Sequence, residues 1–311
     1  MRIAVIGAGG VGGYFGARLA AVGEDVRFVA RGAHLEAMRT RGLRIESQLG
    51  DLTVKPVRAS ADPKELVGPE PFDLVMIAVK LWSTAAAIDT AKALVGERTA
   101  VVSFQNGVGA IPALAKAFGP ERVLGGVAHI ATAIGAPGVI KHTGAMERLT
   151  VGEPKGGLSQ RVTDFVAAAK RANINAIASD DIQRVIWDKF IFLATFSGVA
   201  ALTRQAKAQI FADPDLKRLY ADALAEVVAV ARASGINLAP DHAEKTMAFS
   251  EGLPEAMKPS LLHDLERGNP LEVEFLSGAV ARLGAEKGVA TPVHRTIAAA
   301  LKPFAGGTPA A

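Results

Sequence analysis

Lys189 stands in the run Val185-Ile186-Trp187-Asp188-Lys189-Phe190-Ile191-Phe192-Leu193. An ammonium flanked by so much apolar surface either snorkels to water along its own stem or is held partly desolvated for a purpose. Desolvation lowers the pKa of a lysine and makes it a better proton donor near neutral pH. Asp188, about a quarter-turn away on a helix, is expected to face solvent. Glu272 and Glu274 sit in Asn269-Pro270-Leu271-Glu272-Val273-Glu274-Phe275. This is the predicted start of a helix, where the helix dipole alone already favours acids.

A second set of residues opens the chain. In MRIAVIGAGGVGGYFG an apolar strand runs into Gly7-x-Gly9-x-x-Gly12 and then into a helical pattern. Gly7 permits the tight turn, Gly9 lets backbone approach a pyrophosphate, and Gly12 allows close helix–strand packing. A helix starting near Gly10 and Val11 aims unpaired N–H groups at the phosphates. The second strand, Asp25-Val26-Arg27-Phe28-Val29-Ala30, ends in Arg31 and not in the acid that grips a ribose 2′-hydroxyl. Arg31 is either a solvated surface residue or the partner of a 2′-phosphate, and the second reading predicts NADPH over NADH. Lys80, at the carboxyl end of a later strand, reaches toward the same phosphate region. Asn106, in Phe104-Gln105-Asn106-Gly107, follows another strand end, where such sheets bind ligands. It is either a turn residue before glycine or a partner for a carboxamide or substrate oxygen.

These residues need a sheet beneath them. Strands are predicted at 3–7, 25–30, 72–79, 100–104 and 123–130, with helices at 11–22, 33–41, 83–94 and 111–118 between them. Near-continuous apolar strands such as Leu74-Val75-Met76-Ile77-Ala78-Val79 suit a parallel sheet covered on both faces. Residues 43–57 read as an inserted antiparallel pair, and 140–152 and 174–179 as added edge strands. Beyond residue 180 the pattern is helical: 182–202, 214–233, 241–249, 259–266, 271–287 and 293–302. Asp213 and Gly235 bracket the second of these, and 305–311 reads as a frayed tail. The fold class is α/β: a Rossmann-type doubly wound parallel sheet over 1–180, followed by an all-helical domain over 181–311. A substrate cleft is expected where two such domains meet.

Composition narrows the classes. The 311 residues are half apolar, carry a formal charge of +4 and include no cysteine. Disulfides, thiolate zinc sites and cysteine nucleophiles are therefore excluded. The six histidines (34, 129, 142, 242, 263, 294) show no metal-ligand spacing, and no basic stripe suggests nucleic acid. The apolar stretch 190–202 is shorter than the roughly twenty residues a membrane span needs, so a buried helix is expected. A strand beginning at residue 2 leaves no room for a signal peptide, so cytoplasmic residence is expected. Apolar helices of the second domain offer a face for a homodimer.

Together these motifs resemble the ketopantoate reductase family. The resemblance is carried by the glycine turn, Arg31-Gly32 before His34-Leu35-Glu36, Val79-Lys80, Asn106-Gly107-Val108-Gly109 and Trp187-x-Lys189. It continues in Ser260-Leu261-Leu262-x-Asp264, Arg267-Gly268-x-x-x-Glu272 and Gly278. It implies NADPH-dependent reduction of a 2-oxo acid to a 2-hydroxy acid, foremost 2-dehydropantoate to pantoate. Lys189 matches the family's proton donor, Glu272 the acid that orients substrate beside it, Ser260 a substrate-binding hydroxyl, and Asn106 a residue near nicotinamide and substrate. Family members carry Asn four and eight residues after the lysine, where this chain has Leu193 and Ser197. Ser197 keeps a hydroxyl for substrate, whereas Leu193 cannot hydrogen-bond one, which points to a less polar or differently shaped ketone. A reductase of another ketone or an imine, and an NADPH-binding redox sensor, are the alternatives.

Overall fold

A computed structural model describes residues 1–307. The chain divides into two compact units, the first Met1–Val185 and the second beginning at Ile186.

The first unit is built on one ten-stranded sheet. Its elements are β1 (Arg2–Ile6), α1 (Gly10–Ala21), β2 (Asp25–Val29), α2 (Gly32–Arg41), β3 (Leu43–Glu46), β4 (Leu52–Val54), β5 (Arg58–Ser60), β6 (Leu74–Ile77) and α3 (Thr84–Ala91). Then come β7 (Ala100–Ser103), α4 (Ala110–Phe118), β8 (Val123–Ala136), β9 (Val139–Gly152), α5 (Gln160–Arg171) and β10 (Ala176–Ser179). Strands β5, β2, β1, β6, β7 and β8 lie side by side in that order, all parallel, with β1 near the centre.

Alternation along each strand sends side chains to both faces, and both faces are covered. Ile3, Val5, Met76 and Val102 pack with Phe15 and Leu19 of α1 and Phe165 of α5. Ala4, Ile6, Ile77 and Val101 pack with Ala87 of α3 and Leu114 of α4. Burying both faces is what makes these strands near-continuous apolar runs. This is the doubly wound sheet the sequence predicts.

The sheet departs from expectation in its second half. β9 is not an edge strand. It pairs antiparallel with β8 on one side, while its own two ends take β3 and β10 on the other. Fourteen residues long, it has room for both partners. Helix α5 is an addition to the elements expected from the sequence, and Val162, Phe165, Val166 and Ala169 give it a one-sided apolar face.

The second unit is helical. α6 (Ile182–Thr203) begins in the first unit and continues into it, followed by α7 (Lys207–Ala212), α8 (Pro214–Ala233), α9 (His242–Glu251), α10 (Ser260–Glu266), α11 (Ser277–Lys287) and α12 (Pro292–Leu301). The Asp213 carboxylate accepts from the backbone of Asp215 and Leu216, and Pro214 occupies the first turn of α8, so that helix starts where the sequence places it. α6 is long and apolar enough to cross a membrane, but 61 % of its most apolar window is buried inside the protein. It is a core helix.

The expected helix over 271–287 is broken. Val273–Phe275 forms a single 3₁₀ turn, Leu276 leaves helical geometry at φ −106° and ψ −94°, and α11 begins only at Ser277. Glu272 therefore stands ahead of the turn and is 7 % exposed, not displayed on a first helical turn. The 305–311 tail is tied down at its start, where Ala305 O accepts from Leu271 N–H; its remainder, 308–311, lies outside the described residues.

Candidate active site

The turn after β1 owes its shape to three glycines in different ways. Gly7 takes φ +96°, and a Cβ there would lie 2.7 Å from the Val79 side chain. Gly12 has the least space: an added Cβ would fall 2.2 Å from Gly7 O, so α1 and the turn meet backbone to backbone. Gly9 is the opposite case, with nothing within 4 Å of an added Cβ. Its backbone faces open space, which a side chain would fill. Gly10 packs under Thr132 of β8, whose carbonyl would be 2.6 Å from a Cβ there. Val11 is half-buried on the first turn of α1. That turn begins at Gly10, and the first N–H groups of a helix have no partners within it.

A cavity of about 260 Å³ opens over this turn, lined among others by Gly7, Gly9, Arg31, His34, Val79 and Ile134. The structure thus brings Arg31, the residue preceding α2, to the same space as the glycines. Among the described residues lining it, none is an aspartate or glutamate. An open glycine backbone, a helix start and an arginine around one cavity suit the phosphates of a dinucleotide.

Lys80 and Asn106 do not line that cavity. Lys80 is exposed just beyond Val79, with Nζ 5.5 Å from the centre of the Trp82 ring. Asn106 is half-buried in the loop after β7, before Gly107 at φ +84°. Its neighbour Gln105 fixes that loop: Nε2 donates to Val79 O at 3.1 Å and to Thr84 Oγ1 at 2.9 Å, while Oε1 accepts from Ser103 Oγ at 3.0 Å. The loops after β6 and β7 are thereby joined.

His34 belongs to the helical run that follows Arg31-Gly32, and its spacing to the other histidines suits no metal. In the structure its Nε2 lies 2.9 Å from Ala8 O and its Nδ1 accepts from Gly138 N–H at 3.1 Å. Burial holds its pKa below the usual histidine value, which the hydrogen bond to Ala8 partly offsets.

In the second unit, Lys189 of α6 and Glu272 come together. Burial pulls the Lys189 pKa down to about 8, and the negative charge of Glu272 opposes that fall. An ammonium with this pKa is mostly charged at neutral pH yet parts with a proton readily. The backbone carbonyl of Glu272 accepts from Phe275 and Leu276, locking the carboxylate's base to the 3₁₀ turn. Asp188 is 40 % exposed on its side chain and lies 3.7 Å from His242 Nε2.

The two serines differ. Ser260 is exposed at the start of α10. Ser197 is wholly buried and its Oγ has no hydrogen-bond partner, whereas Thr195 and Thr203 on the same helix donate back to Ile191 O and Val199 O. Leu193 is half-buried one helical turn from Lys189.

A doubly wound sheet with a glycine turn opening onto a cavity that Arg31 lines, and a helical unit holding a desolvated lysine beside a buried carboxylate, define an oxidoreductase that works with a nicotinamide cofactor. The family described as ketopantoate reductase PanE/ApbA matches residues 3–156, and its C-terminal part matches 181–305. The chain is 35 % identical to the 2-dehydropantoate 2-reductase of Mesorhizobium japonicum, over 98 % of each chain. A solved 2-dehydropantoate 2-reductase from Geobacter metallireducens superposes with a TM-score of 0.89 at 33 % identity, covering 97 % of this chain and 99 % of that one. One from Methylococcus capsulatus gives 0.88 at 32 %, covering 98 % and 96 %. The chain belongs to the ketopantoate reductase family.

Proposed function

We propose that this protein uses NADPH to reduce a 2-oxo acid to its 2-hydroxy acid, with 2-dehydropantoate as the first acceptor to test, and that Lys189 supplies the proton. The observation that carries the reading is the half-buried Lys189 beside the buried Glu272, its ammonium desolvated and its pKa drawn down to about 8. Gly7, Gly9, Gly10, Val11 and Gly12 would hold the pyrophosphate, and Arg31 the 2′-phosphate that distinguishes NADPH. When bound, the nicotinamide supplies the hydride.

The Lys189 ammonium donates a hydrogen bond to the ketone oxygen and polarises the carbonyl. As negative charge develops on that oxygen, the charge-assisted bond strengthens, so the transition state is stabilised more than the ground state. The proton then passes from Nζ to the oxygen, and Lys189 is reprotonated from solvent. Glu272 keeps the ammonium charged despite its burial and orients it toward the acceptor. Burial makes this exchange sharper, because charge interactions weaken less where water is excluded. We assign the site of action to the cytoplasm.

The test is Lys189→Ala. Cofactor binding should be kept while kcat falls by roughly a hundredfold or more, the scale of a lost general acid. Near-normal turnover in this variant would remove Lys189 from the mechanism, and a protein that binds NADPH without reducing any carbonyl would be a sensor instead.

A further inference from the structure

The stripe of α6 that bears Lys189 bears apolar side chains with it. Phe192, Leu193 and Phe196 follow the lysine by three, four and seven residues, the spacing that places side chains on one helix face. Phe192 stacks on Phe196 with centroids 5.7 Å apart, and Phe249 of α9 meets Phe192 edge-on at 5.2 Å. Exposure rises along this shelf. Phe196 is buried, Phe192 and Leu193 are half-buried, and Phe249 is 58 % exposed.

An aromatic shelf that starts in the core and ends in water, on the same stripe as the half-buried Lys189, is unusual for a surface with no ligand to cover it. Its chemistry is uniform. Phe192, Leu193 and Phe249 offer no donor or acceptor, and the hydroxyls of α6 are turned away: Thr195 and Thr203 bond their own helix, and Ser197 is wholly buried.

Resting on the reading of Lys189 as the group that meets the ketone, we propose that Phe192, Leu193 and Phe249 form the subsite for the carbon chain of the substrate. This subsite takes 2-oxo acids that carry an aromatic or branched apolar group without a hydroxyl. Leu193 stands one helical turn from Lys189 on the same face, so a ketone bonded to Nζ would lead the chain of the acid toward Leu193 and the phenylalanines beside it. A hydroxyl laid there gives up its water and gains no partner, whereas a methyl or phenyl group loses nothing. Preference for the apolar acid of roughly ten- to a hundredfold is the scale such a contact supports. 2-Dehydropantoate, branched but ending in a hydroxyl, is then a substrate that fits less well than its own deoxy analogue.

The experiment measures steady-state NADPH oxidation by the full chain with trimethylpyruvate (2-dehydropantoate lacking its hydroxyl), phenylpyruvate, pyruvate and 2-dehydropantoate. The expected result is a kcat/KM for trimethylpyruvate about tenfold above that for 2-dehydropantoate, with phenylpyruvate also reduced. Leu193→Asn should reverse the first preference. Phe249→Ala, at a largely exposed position, should lower the ratio of phenylpyruvate to pyruvate kcat/KM about tenfold, through KM. Equal or better use of 2-dehydropantoate overturns the subsite and leaves the reductase reading standing. Ratios unmoved in both variants overturn the assignment of these residues. No turnover of any acid by a protein that binds NADPH overturns the reductase reading and the subsite with it.

Discussion

His34 Nδ1 accepts a hydrogen bond from Gly138 N–H, which fixes the ring proton on Nε2 and aims it at Ala8 O 2.9 Å away. A single neutral imidazole on α2 thus links the glycine turn to the reversal between β8 and β9. Protonation would set an Nδ1–H against the Gly138 N–H and break the link, and burial works against that by holding the pKa below its usual value.

His34→Ala removes both bonds from a wall of the cavity. Two neutral hydrogen bonds are worth about 1–3 kcal/mol together. The dissociation constant for NADPH, read by its fluorescence, should rise about tenfold, more than any change in kcat. His34→Gln, which can accept from Gly138 and donate to Ala8, should recover part of the loss. An unchanged constant in His34→Ala would show that the turn holds its shape without the histidine.

Arg31 should act on one cofactor and not the other. Hydrogen bonds to a charged group contribute about 1.5–3 kcal/mol each, so Arg31→Ala should raise KM for NADPH by ten- to a hundredfold. KM for NADH, which lacks the 2′-phosphate, should stay within about twofold. Parallel losses for both cofactors would mean that Arg31 supports the cavity wall and reads no phosphate.

The active form of Lys189 is the charged one, and its pKa lies near 8. The kcat/KM for the acceptor should therefore be level below that pH and fall about tenfold per pH unit above it. Glu272 raises this pKa, so in Glu272→Gln the break should move to lower pH as well as the rate dropping. The same group affects stability with a definite sign. Its folded pKa is below its unfolded value of 10.5, so the unfolded chain binds more protons between about 8 and 10.5. The unfolding free energy contributed by this lysine rises with pH across that window, while the activity it supports declines. A rate that held level past pH 9 would show that the proton comes from elsewhere.

Which parts of this were written in the sequence follows from how local their causes are. The parallel strands and the start of α8 rest on neighbouring residues: the apolar run Leu74–Ile77, or Asp213 bonding the backbone two and three residues on. The glycine turn is equally local. β9 was misplaced as an edge because its partners β3, β8 and β10 are chosen by the packing of distant segments. The break at Leu276 had no marker, since Leu271, Val273 and Leu276 continue a pattern compatible with helix and no proline or glycine interrupts it until Gly278. His34 could not be read either. Its two partners, Ala8 and Gly138, stand in separate turns, and Gly138 is 104 residues away. Lys189 was legible because an ammonium in an apolar run is conspicuous without knowledge of its neighbours. That Glu272 is buried was not, because an acid before a helical pattern looks solvated.

The glycines of the turn permit a separation of stability from binding. In Gly12→Ala the new methyl would lie 2.2 Å from Gly7 O, in the turn directly after β1, and 2.9 Å from the Val5 side chain, in β1 itself. Neither can retreat without moving β1, so the variant should lose about 1–3 kcal/mol by denaturant unfolding, outweighing the helix propensity that alanine gains over glycine. Gly9→Ala meets nothing within 4 Å and Gly9 has φ −76°, which alanine adopts freely. It should unfold within about 0.5 kcal/mol of the parent, the usual range for a substitution that disturbs no packing. Its methyl, however, projects into the space over the turn that a pyrophosphate needs, so NADPH binding should weaken at least tenfold. Gly9→Ala with full affinity would mean that the phosphates do not approach the turn at that residue, whatever the stability data show.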